Sequence, residues 1–383
     1  VNQDQPAPSD PEALAAEFRA NLEVVISVLR DDQALVDYLA DRLVELGDSV
    51  PESLPTFRLG ARGNPFEDAR LTDYRSYPAD LFAAPGASVA NRAALGKWGA
   101  WVNAFGAREY GRPLFMACSA DLAGSTQVAG FAEKFGDFPG YGWYERYGTA
   151  EGVLLPQEIT EFANAGIMVG MASVNFSADP EHSFDGFYGV ASTYGSFSYL
   201  KYGLMRLYSQ LAQDCQWRVG KFLWIAGHSG PETADDSRTH FGIFAPGVTQ
   251  LFPAGSVINL HPWEHNEVPV LLGAALATPA PIIALPLTRP PITIPDREAL
   301  GMPSHWEAAR GAYIARDYRP GVPRSGTVIV QGTSAMVSIT QAMPELERAG
   351  LNFKVVYAAS PQLFELQPAE YRERVLSPGD RAD

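Results

Sequence analysis

Cysteine is nearly absent. Cys118 and Cys215 are the only two in 383 residues, and both lie in apolar stretches. Two buried thiols are expected rather than a disulfide framework, which fits a cytoplasmic protein. Positive charge is also scarce: Lys and Arg number 29 against 44 Asp and Glu, a net charge of −15. No basic run or stripe occurs, which argues against nucleic acid or an anionic membrane as partner. No apolar run approaches the roughly 20 residues of a membrane span. The polar start, Val1 to Asp10, has neither the basic head nor the apolar stretch of a signal peptide. Zinc-type ligand spacings, a P-loop, a Gly-x-Ser-x-Gly elbow and a Gly-x-Gly-x-x-Gly turn opening a helix are all missing.

What is present is a large apolar fraction, 46%. At roughly 100–200 residues per domain it can build two or three cores. Asp10-Pro11 reads as a helix cap followed by a first-turn proline, and Leu14, Phe18, Leu22, Val25 and Leu29 follow at helical spacing. A second helix carries Leu35, Leu39, Leu43 and Leu46 and stops at Gly47. Residues 48–88, rich in Pro, Gly and Arg, read as an extended connector. Residues 1–88 thus form a helical arm with its connector.

From residue 89 to 288 the pattern alternates. Helices are predicted at Asn91–Phe105, Gln157–Gly170, Tyr199–Ala212 and Glu264–Ala277. Strands are predicted at Pro113–Cys118, Met171–Phe176, Phe222–Ala226, Val257–Leu260 and Pro281–Leu287. That alternation specifies an α/β domain with a mostly parallel sheet flanked by helices. A proline-rich linker, Thr288–Pro303, leads into one βαβ unit: Thr327–Gln331, Ala335–Ala349 and Phe353–Tyr357. Two parallel strands cannot cover their own edges. Residues 289–383 are therefore expected to be a partial α/β domain, incomplete or finished by another chain.

Ligands gather at the carboxyl ends of strands in such sheets, and three polar clusters fall there. They are Ser119-Ala120-Asp121-Leu122-Ala123-Gly124-Ser125, then Gly227-His228-Ser229-Gly230 running on to Asp235, Asp236 and His240, and finally His261-Pro262-Trp263-Glu264-His265. Each has a plain alternative: a helix cap and turn, a solvated loop, and a cap in which Glu264 complements the helix dipole. Glu161 sits among Ile159, Phe162 and Ile167. On a buried helix it is a carboxyl in an apolar setting, where the charged form is disfavoured; by periodicity alone it is an exposed first-turn glutamate. Tyr194, Phe197 and Tyr199 read by default as core aromatics.

Taken in order, these segments resemble the transketolase family. The likeness runs from the first helices to Leu376. Leu54-Pro55-Thr56-Phe57 is similar to the segment before that family's pyrimidine-binding domain, and Asn91-Arg92-Ala93 to its opening helix. Ser119-Ala120-Asp121-Leu122 with Ser125 matches Ser-Ala-Asp-Leu-x-x-Ser. Thr160-Glu161-Phe162 matches the Arg-Glu-Phe helix, and Thr193-Tyr194-Gly195-Ser196-Phe197 the Thr-Phe-x-x-Phe pocket. His228, Asp236 and His240 keep the family's spacing of eight and then four. Gln331-Gly332-Thr333-Ser334 through Gln367, Tyr371 and Val375-Leu376 matches the C-terminal domain.

The resemblance implies a thiamine-diphosphate enzyme that moves a two-carbon ketol unit from a ketose to an aldose. It implies that Glu161 and His240 are catalytic, and that Glu161, Tyr194, Phe197 and Asp121 contact the cofactor. Arg92, Ser125, His228, Asp236 and His261 are implied to contact the substrate. Two departures stand out. The family's diphosphate-binding domain, with its Gly-Asp-Gly metal loop, is missing; Gly379-Asp380-Arg381 lies in the tail. No metal ligand is assigned in this chain. The chain is then either a fragment or one subunit of a split enzyme; for a split enzyme the resemblance implies a partner subunit carrying that domain and the ligands for Mg²⁺ or Ca²⁺, in an α2β2 assembly. The second departure is His261-Pro262 where the family has Arg-Pro, which leaves open whether the sugar is phosphorylated. Two alternatives stay open: a β-type subunit of a 2-oxoacid dehydrogenase, which lacks the His, Asp and His loop, and a scaffolding or regulatory subunit.

Overall fold

The computed structural model describes residues 10–48, 62–133, 152–155, 159–227 and 249–380. The chain divides into two compact units, Val1–Pro55 and Thr56–Asp383. The first holds α1 (Pro11–Asp31) and α2 (Gln33–Asp48). Asp10 caps α1 through the backbone amides of Glu12 and Ala13, with Pro11 in the first turn as expected. Leu14, Phe18, Leu22, Val25 and Leu29 form its apolar stripe, and all five are exposed.

The second unit opens with short 3₁₀ turns between Pro65 and Leu81. Asn64, Asp68 and Asp73 cap them in succession. This corrects the extended connector: Leu71, Tyr77 and Leu81 are buried core residues. Helix α3 (Arg92–Tyr110) follows and ends at Gly111, whose φ of 74° is the left-handed cap glycine favours.

The central sheet has five strands: β2 (Phe115–Ser119), β3 (Tyr188–Thr193), β4 (Phe222–Ala226), β5 (Val257–Asn259) and β6 (Ile282–Pro286). Its order is β2-β3-β4-β6-β5, and every pairing is parallel. Helices α4 (Glu161–Ala172), α5 (Tyr202–Asp214) and α6 (Glu267–Leu276) connect and flank it. The α/β architecture is the one the alternation specifies. One strand differs. Met171–Phe176 is not a strand, because α4 runs on to Ala172; the strand is β3, whose sequence Tyr-Gly-Val-Ala-Ser-Thr is poor in large β-formers. It is buried on both faces, so the small residues are a packing requirement. A Cβ at Gly189 would lie 2.6 Å from the Met168 carbonyl oxygen, so glycine lets α4 sit directly on β3.

The C-terminal sheet also differs from expectation. It has three strands: β8 (Ala312–Arg316), β9 (Gly326–Val330) and β10 (Phe353–Ala358), in the order β8-β10-β9. The βαβ unit is present, with α7 (Thr333–Arg348) as its helix. Strand β8, missed in the sequence, pairs antiparallel with β10 and covers its free edge, so the premise of a bare two-stranded unit fails. Two short helices, α8 (Pro361–Glu365) and α9 (Ala369–Val375), follow. In the linker, β7 (Ile292–Thr293) pairs with β1 (Ser88–Val89). Of the cysteines, Cys118 is buried and Cys215, just past α5, is only half-buried. Among the described residues no helix is long and apolar enough to cross a membrane.

Candidate active site

Glu161 is the first residue of α4 and is buried, with 5% of its surface exposed. Burial at this position overrides the exposed reading that periodicity favours. The Thr193 hydroxyl, at the carboxyl end of β3, donates to Glu161 Oε1 at 2.9 Å. The next residue, Tyr194, is buried and starts the turn carrying Phe197, whose amide donates to the Tyr194 carbonyl at 3.1 Å. A buried carboxyl group and the turn carrying Tyr194 and Phe197 thus both adjoin the carboxyl end of β3.

The loop after β2 reaches the same place. Ser125 Oγ lies 3.1 Å from the Tyr194 hydroxyl, and Thr126 Oγ1 lies 2.7 Å from Ser192 Oγ. A Cβ at Gly227 would lie 2.5 Å from Thr126 Cγ2, so glycine is needed for the end of β4 to close against this loop. Asp121 sits at the loop's start with a φ of 56°, a left-handed conformation uncommon outside glycine. Its side chain is exposed at the carboxyl end of β2.

Helix α3 brings the opposite edge of the sheet into reach. Strand β5 is the far edge from β2, but Asn91 donates to the Pro262 carbonyl at 3.0 Å and accepts the Thr288 amide at 2.7 Å. Arg92, the adjacent residue, donates to the Ser125 carbonyl at 2.7 Å. The start of α3 therefore bridges the Ser125 loop and the His261-Pro262 segment. His261 is 8% exposed, its amide bonded to the Ala359 carbonyl at 2.7 Å. Burial lowers its pKa to about 4, so the imidazole is neutral through the physiological range. The charge change expected near pH 6.5 for a free histidine is moved well into acid.

Arg92, Asp121, Ser125, Glu161, Tyr194, Phe197 and His261 are thus placed around the carboxyl ends of the sheet. His228, Asp236 and His240, and the Leu54–Phe57 segment, lie outside the described residues. Sequence reasoning missed Thr193 as a partner of Glu161, and Asn91 as the bridge. It also missed Lys201, fully buried at the end of the turn that carries Phe197; its signal is a lone lysine in an aromatic-rich turn.

Two buried polar atoms flank Glu161 and the aromatic pair without a hydrogen-bond partner: Asn164 Nδ2, on α4 one turn beyond Glu161, and Ser196 Oγ, between Tyr194 and Phe197. Buried polar groups are nearly always satisfied. Unsatisfied ones beside a buried carboxyl group are donors that a bound polar ligand could meet.

No family model matches the chain. It is 27% identical over 270 residues to a transketolase of Aquifex aeolicus, covering 70% of this chain and 34% of that protein. To a plasmid-encoded transketolase of Cupriavidus necator it is 26% identical over 267 residues, with the same coverage. The chain therefore spans about a third of these relatives' length. Among solved structures, the transketolase of Pichia stipitis in complex with sedoheptulose-7-phosphate matches with a TM-score of 0.60 at 20% identity, covering 96% of this chain and 47% of that one. The transketolase from Leishmania mexicana gives 0.58 at 19% identity, covering 98% and 47%.

Proposed function

We propose that this chain, a partial relative of the transketolases with their α/β fold, is the pyrimidine-binding subunit of a split enzyme that transfers a two-carbon ketol unit. A partner chain would supply the diphosphate and Mg²⁺ or Ca²⁺ site, in an α2β2 assembly. The observation that carries this reading is Glu161, buried at the start of α4 with the Thr193 hydroxyl, at the carboxyl end of β3, on one oxygen. Thiamine diphosphate, when bound, supplies the carbon nucleophile that protein side chains lack. The role of Glu161 is to hold a proton at a ring nitrogen of the pyrimidine, and that of Tyr194 and Phe197 is to stack on the ring. Asp121, exposed at the carboxyl end of β2, would contact the cofactor. Arg92 and Ser125 are placed to receive a sugar phosphate, Arg92 as a two-point donor. The loop with His228, Asp236 and His240 would contact the donor sugar, with His240 at its carbonyl.

The partner requirement is supported by a surface. Ile159 just before α4, Phe162 and Ile167 on α4, and Leu207 and Leu211 on α5 are all at least 40% exposed. The two helices pack closely, with Leu204 Cδ1 3.6 Å from where a Cβ on Gly166 would be. Exposed apolar residues of this density mark association surfaces. In isothermal titration with Mg²⁺, the isolated chain is expected to bind thiamine diphosphate weakly; tight binding by this chain alone would remove the need for a partner.

His261 bears on the substrate. An arginine makes a permanently charged, two-point contact with phosphate, whereas a neutral imidazole offers one nitrogen. In the reconstituted enzyme, His261→Arg is expected to lower KM about tenfold for a phosphorylated sugar and to leave it unchanged for the unphosphorylated one. An effect of about tenfold corresponds to one good ionic contact, near 1.4 kcal/mol. Equal effects on both sugars would assign His261 to packing instead.

A further inference from the structure

Thr193 is the last residue of β3 and is fully buried. The sheet holds it from both sides. Ser192, just before it, pairs with Ser119 on β2, and Thr193 itself pairs with Ala226 on β4. Its carbonyl accepts the Gly227 amide at 2.8 Å. A β-branched side chain is stiff at χ1. The hydroxyl is therefore a donor whose place is set by the central sheet, and it meets Glu161 Oε1 at 2.9 Å.

Glu161 is the opposite kind of side chain, long and flexible, and it is the first residue of α4. The first amides of a helix have no partner within the helix and attract a carboxyl oxygen. The residue that ordinarily takes them is the cap. Thr160, at the cap of α4, makes no side-chain bond to these amides; its hydroxyl donates to Asn164 Oδ1 at 3.0 Å instead. Glu161 thus has a second place to go, back onto the start of its own helix. The Thr193 hydroxyl opposes that turn. Because Oε1 accepts from Thr193, Oε2 is the oxygen left to face a ligand, whether or not the carboxyl carries a proton.

We propose that Thr193 is a positioning residue for Glu161: by holding Oε1 it keeps the carboxyl off the start of α4 and presents Oε2 to the ring nitrogen. This rests on the reading of Glu161 given above. The same strand end opens the turn that carries Tyr194 and Phe197, so one element of the sheet sets both the carboxyl contact and the aromatic contacts.

The hold is tested first without cofactor, by crystal structures of the full chain carrying Thr193→Val and Thr193→Ser. Valine has the shape of threonine without the hydroxyl. In Thr193→Val the Glu161 carboxyl is expected to leave its place and turn onto the first amides of α4; in Thr193→Ser it is expected to stay. A carboxyl that keeps its wild-type place in Thr193→Val overturns the proposal. The reconstituted enzyme is tested next. Thr193→Val is expected to lower kcat about tenfold, the scale of one buried hydrogen bond, with KM nearly constant. Thr193→Ser, which keeps the hydroxyl, should recover most of that loss. An unchanged kcat in Thr193→Val, or an equal loss in both variants, overturns the positioning role. A wild-type enzyme without ketol transfer would count against the reading of the reaction, and the two crystal structures would still decide whether Thr193 holds Glu161.

Discussion

Replacing Glu161 with glutamine is expected to abolish two-carbon transfer in the reconstituted enzyme while the chain folds as before. The amide keeps the length of the side chain, and its oxygen can still accept the Thr193 hydroxyl, which lies 2.9 Å from Glu161 Oε1. What it cannot do is exchange a proton with a ring nitrogen. Proton transfer by a placed side chain contributes roughly a hundred- to ten-thousand-fold in rate, and kcat is expected to fall by that much or more. The melting temperature should stay within a few degrees, since the amide keeps the packing and the Thr193 hydrogen bond. Steady-state turnover beside a thermal melt checks both halves, and turnover within about threefold of wild type would mean that Glu161 is a structural carboxylate.

Arg297→Met is expected to have the largest effect on stability. Arg297 lies in the linker, and its Nη2 donates to Glu264 Oε1 at 2.7 Å and to Glu267 Oε1 at 2.8 Å. Tyr313 on β8 donates to Glu267 Oε1 at 2.6 Å, and the Trp263 indole donates to the Tyr313 hydroxyl at 2.9 Å. Both carboxylates are at most 1% exposed. Burial raises the pKa of Glu267 while the Arg297 charge opposes that rise. Burial works against the Arg297 charge in turn, but Tyr313 and the two glutamates outweigh it and hold the guanidinium protonated. Removing one partner of such a cluster leaves uncompensated charge in the interior, at a cost of about 3–5 kcal/mol. The folded-state pKa of Glu267, already raised by burial, would then lie further above the unfolded value, so the deficit is greatest at neutral pH and shrinks in acid as it takes up a proton. Denaturant unfolding at pH 7 and pH 5 measures both. A loss under about 1 kcal/mol at pH 7 would show that water or a second cation compensates the pair.

The two sites differ in how far the sequence betrays them. Glu161 is identified by its place in an ordered set of motifs, since the helix pattern around it favours exposure. Glu264 looks like a helix-dipole complement, and its Oε2 does accept the Asn266 amide at 3.1 Å. Nothing near it in sequence announces Arg297, 33 residues away. The cluster exists because α6, the linker and β8 converge, and convergence is not a local property.

The sequence by itself determined the elements whose signal is local. The cap at Asp10-Pro11, the apolar strands β4 and β6, the βαβ unit of the C-terminal sheet and the alternation of the parallel sheet all depend on neighbours a few residues apart. Tertiary structure decided the rest. Strand β3 is built of small residues because α4 lies on it, and β8 is a strand because β10 has an edge to cover. Lys201 is buried because two central strands end above it, and the His261 imidazole stays neutral because packing removes the water that would stabilise its charge. In each case the deciding interaction is with a segment distant in sequence, and only the folded chain brings the two together.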